Sequence, residues 1–395
     1  MALTEKGYAA IMQIKTYFPT GQFSAKDLSD ACGEKIVAAT LNSIANNGYL
    51  NKLGGSPVQY EAVTNLLDLI ENIAETNTKT GQTNVNMASA KRNQNDEFYT
   101  RYEDIEAEIM KYRKQFRGKV VYLPCDDPAE KKSEFWSFFI NNFDAFGLKK
   151  LIATHYDEDG KAYKIWIDGD TTGDGYIDDG DALQEDLIGN GDFRSPECID
   201  ILNECDIVCT NPPFSAYREF FAVIMQAKKQ FLIICPQNAF KYKDIFSYVK
   251  EGMVWAGYSF NKTFDFIMSD DYVLTKTGYI DNNGKKHGKV AGICWMTNMA
   301  VNRRVEEMVL TYKYNPIDYP QFDTYDAINV SRVDRIPCDY DGIMGVPITF
   351  LGKHNPDQFE IIGEANHGSD NEYDLFKPIV NGKELFPRVL IRRKK

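Results

Sequence analysis

The residues best suited to chemistry lie in Asp206-Ile-Val-Cys-Thr-Asn-Pro-Pro-Phe214. A short apolar run of the kind that forms a buried strand stops at two prolines. Neither proline has an N–H to give a strand ladder, so Pro212 and Pro213 end the strand and stiffen the turn after it. Asn211 is thereby held at the carboxyl end of a strand, the edge where open α/β sheets place their ligands. Its side-chain carbonyl and the fixed backbone carbonyl of Pro212 can each accept one N–H. Two acceptors aimed at one amine nitrogen hold it in place and favour the positive charge that develops when it reacts. Phe214 offers a face on which a ring can stack. The stretch from Arg218 to Lys229, with Phe220, Phe221, Ile224 and Met225 on one side, reads as a helix. The competing reading is a surface turn rich in Asn and Pro.

Such a turn needs a fold to hold it. A chain of 395 residues, 43% apolar and 13% aromatic, has material for two or three domains with proper cores. No apolar run approaches the ~20 residues of a membrane span, and the N-terminus does not read as a signal peptide. The eight cysteines show no metal-ligand spacing. Cys205 and Cys209 lie in or beside the central strand, which predicts buried free thiols in a reducing cytoplasm. The net charge of −12 would argue against a nucleic-acid partner if it were evenly spread, but Asp157–Asp186 alone carries eleven acidic residues and two lysines. The acidity is local, and a basic face elsewhere is not excluded. The tail, with Arg388, Arg392, Arg393, Lys394 and Lys395, is basic.

In chain order, residues 1–75 predict three helices and a hairpin, the pattern of a winged helix. The helices are Glu5–Phe18, a short one capped by Ser24, and Glu34–Asn47 with Ile36, Val37, Leu41, Ile44 and Ala45 inward. The third would offer Lys35, Thr40, Asn42 and Asn46 to a DNA groove; many such domains bind protein instead. Residues 76–95 are polar and without periodicity, a linker. A core over 96–315 follows. Strand Lys119–Pro124, helix Ser133–Phe146 and strand Lys150–Thr154 predict a βαβ unit. The apolar run that opens Asp206–Phe214 and Gln230–Cys235 add buried strands, and Phe264–Met268 with Val290–Thr297 a closing pair. The expected class is α/β, a doubly wound, mostly parallel Rossmann-like sheet. Residues 316–395 predict a module of irregular β type. Asp170-Thr-Thr-Gly-Asp174-Gly-Tyr-Ile-Asp178-Asp-Gly-Asp181 has the spacing of a calcium loop, but Ala162–Ile167 alternates like a strand before it. A hairpin with a solvated acidic tip is the alternative, and no metal is assigned.

Asn-Pro-Pro-Phe resembles the motif of S-adenosylmethionine-dependent amino methyltransferases. With it stand Asp-Glu-Phe-Tyr-Thr (96–100), Val-Tyr-Leu-Pro-Cys-Asp-Asp-Pro (121–128), Gly-Asp-Phe-Arg-Ser (191–195), Tyr-Lys-Asp-Ile-Phe (242–246) and Pro-Cys-Asp-Tyr-Asp-Gly-Ile-Met-Gly-Val-Pro-Ile-Thr-Phe-Leu (337–351). In order and spacing these resemble the EcoRI-type adenine-specific DNA methyltransferases, from about residue 95 to the end; the N-terminal winged helix is an addition. The resemblance implies an enzyme that methylates a flipped adenine on N6 within double-stranded DNA, using S-adenosylmethionine, with Asn211, Pro212, Pro213 and Phe214 at the catalytic turn.

The resemblance also implies the cofactor's contacts. Phe98, Tyr99 and Thr100 would enclose its methionine end. Asp126, Asp127 and Pro128 form the first-strand turn, where a carboxylate pairs with the α-ammonium and a helix N-terminus meets the carboxylate. The glycine-rich loop common in methyltransferases is absent there. Asp192 and Phe193 would take the cofactor's adenine, and Asp157 its ribose. A C-terminal target-recognition module, a companion restriction nuclease and a prokaryotic or phage source are also implied, with no membrane. Two alternatives stay open: a protein glutamine methyltransferase with a near-identical turn, and a catalytically dead DNA-binding regulator.

Overall fold

The structure, a computed structural model, describes residues 21–33, 36–46, 50–55, 57–62, 98–126, 134–157, 161–268, 277–365 and 377–394, together with 10, 13–14, 17–18, 272 and 274. Contacts divide the chain into two units, Met1–Ser89 and Ala90–Lys395.

In the first unit, a short strand Gln22–Phe23 precedes helices Ala25–Cys32 and Ala38–Asn46 and a hairpin of Leu50–Gly54 with Gln59–Ala62. Ser24 caps the first of these helices reciprocally with Asp27, each satisfying the other's backbone N–H. Ile14, Phe23, Leu28, Leu41, Ile44 and Tyr60 fill the core. Two expectations are corrected. The helix expected from Glu34 begins at Ala38, so Val37 lies ahead of it and is exposed. Asn42 is not free for a groove, because its Oδ1 accepts the Tyr60 hydroxyl at 3.0 Å. Lys35, the side chain of Asn46, most of the first expected helix and the linker 76–95 lie outside the described residues.

The second unit is built on an eleven-stranded sheet. Its centre runs Gln230–Pro236, Ile207–Thr210, Val120–Leu123, Lys150–His155, all in parallel pairs. These strands are apolar nearly throughout, as burial on both faces requires. The sheet is not mostly parallel, as expected, but mixed: among the described residues every pairing outside these four strands is antiparallel. The reason is loop length. A parallel return needs a crossover of roughly a dozen residues or more. The link 156–162 is too short for one, so Tyr163–Ile167 folds straight back on Lys150–His155 and then pairs with Leu183–Asp186. On the other side Lys286–Thr297 lies antiparallel to both Gln230–Pro236 and Lys262–Met268, the expected closing pair. The helix expected over 133–146 is two, Glu134–Asn141 and Phe143–Phe146, broken where Asn142 leaves helical geometry and its Nδ2 bonds the Phe138 carbonyl.

The acidic stretch is the loop of the Tyr163–Ile167/Leu183–Asp186 hairpin. Its carboxylates are met by the loop's own backbone. Asp170 accepts from the N–H of Gly173 and Gly175, and buried Asp181 from Thr171 and Thr172. The Thr172 N–H, then that of Asp178, holds Asp181 down at about 2. Among the described residues no three His, Cys, Asp or Glu side chains are placed to hold a metal ion.

Beyond the sheet, Ile328–Asn329, Met344–Pro347, Arg388–Arg393 and Phe359–Ala365 form a second, four-stranded sheet. Its Met344, Val346, Ile361 and Val389 bury in the same core as Val208, Tyr217 and Phe240. The C-terminal segment is thus packed onto the central sheet. Among the described residues no helix is long and apolar enough to cross a membrane.

Candidate active site

Strand Ile207–Thr210 is buried at every position and lies between two parallel neighbours, so Asn211 leaves the sheet at its carboxyl edge. The Pro213 carbonyl accepts the Ala216 N–H at 3.1 Å and turns the chain into helix Tyr217–Gln226. Among the described residues nothing bonds the Pro212 carbonyl, which therefore remains available as an acceptor.

The Asn211 amide is fixed by a residue remote in sequence. Its Nδ2 donates to the Phe98 carbonyl at 2.5 Å. Phe98 belongs to the edge strand Phe98–Tyr99, with three strands between it and Ile207–Thr210 in the sheet order, so that edge arches over the central strand's end. With Nδ2 engaged, Oδ1 is buried and has no hydrogen-bond partner among the described residues. Leaving a buried acceptor unpaired costs on the order of 1–3 kcal/mol. That cost is recovered when a donor arrives. The Phe214 ring is buried against Phe98 at 5.5 Å between centroids, and Phe98 packs on Phe266 at 5.4 Å. Thr100, 2% exposed, also has a buried hydroxyl without a partner. The Asn211–Phe214 turn and the Phe98–Thr100 segment thus come together.

The neighbouring strand Val120–Leu123 delivers Cys125 and Asp126. Asp126 is buried, and its Oδ2 accepts the Thr210 hydroxyl, tying this turn to the residue just before Asn211. Burial, reinforced by the Asp126 charge, pushes the Cys125 thiol well above its ordinary range. Asp127 and Pro128 lie outside the described residues.

Gly191 brings the third group in. It has φ +77, and a Cβ there would stand 2.2 Å from the His155 carbonyl, so only glycine lets this loop lie on the end of Lys150–His155. The Asp157 N–H bonds the Asn190 carbonyl at 3.0 Å, which sets Asp157 beside the same loop. Asp192 is engaged inside the protein. Its Oδ1 accepts from the Arg194 backbone N–H and Nε, its Oδ2 from Nη2 at 2.6 Å. The Arg194 hydrogen bond lowers the Asp192 pKa. Arg194 also reaches Glu219 at 2.5 Å and covers the Phe193 ring at 5.0 Å. Phe193 meets Phe220 edge-on and, with Tyr122, Pro124, Val208 and Ile224, lines a small apolar cavity.

Sequence reasoning missed Thr210, Arg194 and Gln237. Thr210 and Arg194 carried a signal only in their adjacency to Asn211 and Asp192. Gln237 carried a clearer one. Cys235-Pro236-Gln237 also sets a proline and an amide at the end of a buried strand, in the opposite order to Asn211-Pro212.

Against known proteins, the family model for adenine-specific methyltransferase EcoRI matches residues 86–394. The Type II methyltransferase M.EcoRI of Escherichia coli is 42% identical over 328 residues, 79% of this chain and 98% of the relative. M.MgeORF184P of Mycoplasma genitalium is 38% identical over 77% of this chain and 97% of its own length. M.MpnI of Mycoplasma pneumoniae is 40% identical over 69% of this chain and 83% of its own.

Proposed function

This chain belongs to the EcoRI family of adenine-specific methyltransferases, and we propose that it methylates N6 of an adenine flipped out of double-stranded DNA, with S-adenosylmethionine as donor. One observation carries the placement of the reaction: Phe98 engages the Asn211 amide through Nδ2 and leaves Oδ1 buried and, among the described residues, unpartnered as an acceptor. Asn211 Oδ1 and the Pro212 carbonyl each take one N–H of the target amine. An exocyclic amine is a poor nucleophile because its lone pair is delocalised into the ring. Two fixed acceptors lower the cost of withdrawing that lone pair from the ring and stabilise the positive charge that grows on nitrogen. Phe214, backed by Phe98, stacks on the base. The proton then leaves to water.

The residues around this turn fit the donor. Buried Asp126 answers an ammonium, Thr100 has an unpartnered hydroxyl, and Phe193 offers a ring face beside Asp192. Bound there, S-adenosylmethionine supplies an already activated methyl on sulfonium. Asp126, Asp192, Phe193 and Phe98–Thr100 orient it, with Asp127, Pro128 and Asp157 as further contacts. Much of the barrier reduction, on the order of several kcal/mol, then comes from positioning alone. The N-terminal unit, with helices Ala25–Cys32 and Ala38–Asn46 and the hairpin, is read as a winged helix that adds contacts to DNA. Residues 316–395 serve target recognition, and a companion nuclease recognising the same site completes a restriction–modification pair. The family match disfavours the protein glutamine methyltransferase reading. Digestion of reacted DNA to nucleosides tests the whole: N6-methyladenosine is the expected product, whereas N4-methylcytosine, or label only in protein, overturns the adenine assignment.

A further inference from the structure

Another buried polar atom beyond the carboxyl end of a central strand has no partner among the described residues: Nε2 of Gln237. Gln237 is the first residue after strand Gln230–Pro236, which pairs in parallel with Ile207–Thr210, Ile233 opposite Thr210. Both amides therefore follow adjacent parallel strands toward the same carboxyl edge, Gln237 three residues further along than Asn211. On the other side of Gln237 the ladder carries a bulge. Lys262 lies opposite Ile293 but Thr263 opposite Ala291, which leaves Gly292 unpaired with φ +73. The nearest atom to a Cβ built at Gly292 is Gln237 Oε1, at 4.0 Å. Bulges of this kind gather beside active sites and re-aim their neighbours.

Asn211, its amide fixed by Phe98, presents an acceptor, and Gln237 brings an amide whose Nε2 is buried and unpaired among the described residues and can serve as the donor. Adenine presents the matching pair, since its N6 amino donor is flanked by the ring acceptors N1 and N7. We propose that Gln237 donates from Nε2 to the ring nitrogen beside the target amine and so helps to select the base, an inference that rests on the Asn211–Phe214 turn being the amine pocket. Guanine and thymine carry a carbonyl where adenine carries its amine. Either would set oxygen against Asn211 Oδ1, and thymine's adjacent N–H would meet the Gln237 donor. A buried donor left facing a donor is rejected far more strongly than a mere loss of contact.

The test removes one acceptor at a time. Duplexes containing the protein's own methylation site, mapped beforehand on mixed-sequence DNA, carry adenine, 1-deazaadenine or 7-deazaadenine at the target. Single-turnover transfer is measured with the wild type, Gln237→Leu and Gln237→Glu. The wild type should slow about tenfold or more on one analogue. Gln237→Leu should treat that analogue and adenine alike within about twofold, since the missing acceptor has lost its donor already. If the variants keep the wild-type ratio on both analogues, or if the wild type is indifferent to both, Gln237 does not read the base. Where a variant turns over too slowly, the affinity of the cofactor-loaded protein for the same duplexes is read with the same two outcomes. Asn211→Ala on the unmodified duplex separates the two claims: full activity there removes the pocket itself, while the deaza ratios speak only to Gln237.

Discussion

Two turns at the carboxyl edge of one sheet are prepared differently. At Asn211 the structure spends one side of an amide on the Phe98 carbonyl and leaves the other side buried and unpaired. At Asp192 the carboxylate is already satisfied three times over by Arg194, which is itself held by Glu219. The first turn waits for a donor that the fold does not supply. The second is complete before any ligand arrives, so a ligand there must share or displace Arg194. Substitutions at the first turn should therefore register in turnover, and at the second in affinity.

Asn211→Asp sharpens the contrast most. A carboxylate would set an oxygen against the Phe98 carbonyl, and only its protonated form can donate there. Transfer should fall about 100-fold at neutral pH and recover as the pH is lowered. A pH–rate profile no different in shape from that of the wild type would show that the Phe98 contact does not orient the amide. The Asp192 pair has the opposite sign. Its pKa is lowered, so the stabilisation is present above the unfolded carboxylate value and is lost only as pH falls through the lower folded one.

Asp192→Ala should weaken S-adenosylmethionine binding by roughly 1–3 kcal/mol, and it frees Arg194 as well. Calorimetry on the folded variant decides the point; unchanged affinity takes Asp192 out of the cofactor site. The smallest effect is expected from the N-terminal unit. Removing residues 1–89 should leave cofactor affinity unaltered, weaken DNA binding several-fold and flatten its salt dependence. Equal affinity and an equal salt slope would assign that unit to some other partner.

The sequence showed much of this and hid the rest for physical reasons. The four central strands were readable because burial on both faces writes them as continuous apolar runs, as in Ile207–Thr210 and Val120–Leu123. Direction was not readable: whether Tyr163–Ile167 returns parallel or antiparallel depends on the length of the link before it, and its apolar pattern is the same either way. The turn at Asn211-Pro212-Pro213 was readable because proline after a strand leaves little conformational choice. The Phe98–Asn211 bond was not, since it joins residues 113 positions apart. Nor was Arg194 on Asp192, because Asp-Phe-Arg specifies no rotamer.

The most direct test is single-turnover methyl transfer by Asn211→Ala, with cofactor affinity measured on the same preparation. Loss of the orphaned acceptor should cut transfer by about 1000-fold while S-adenosylmethionine binds within about twofold of wild type. Transfer within tenfold of wild type, with the protein folded and loaded, would contradict the claim that this amide holds the reacting amine.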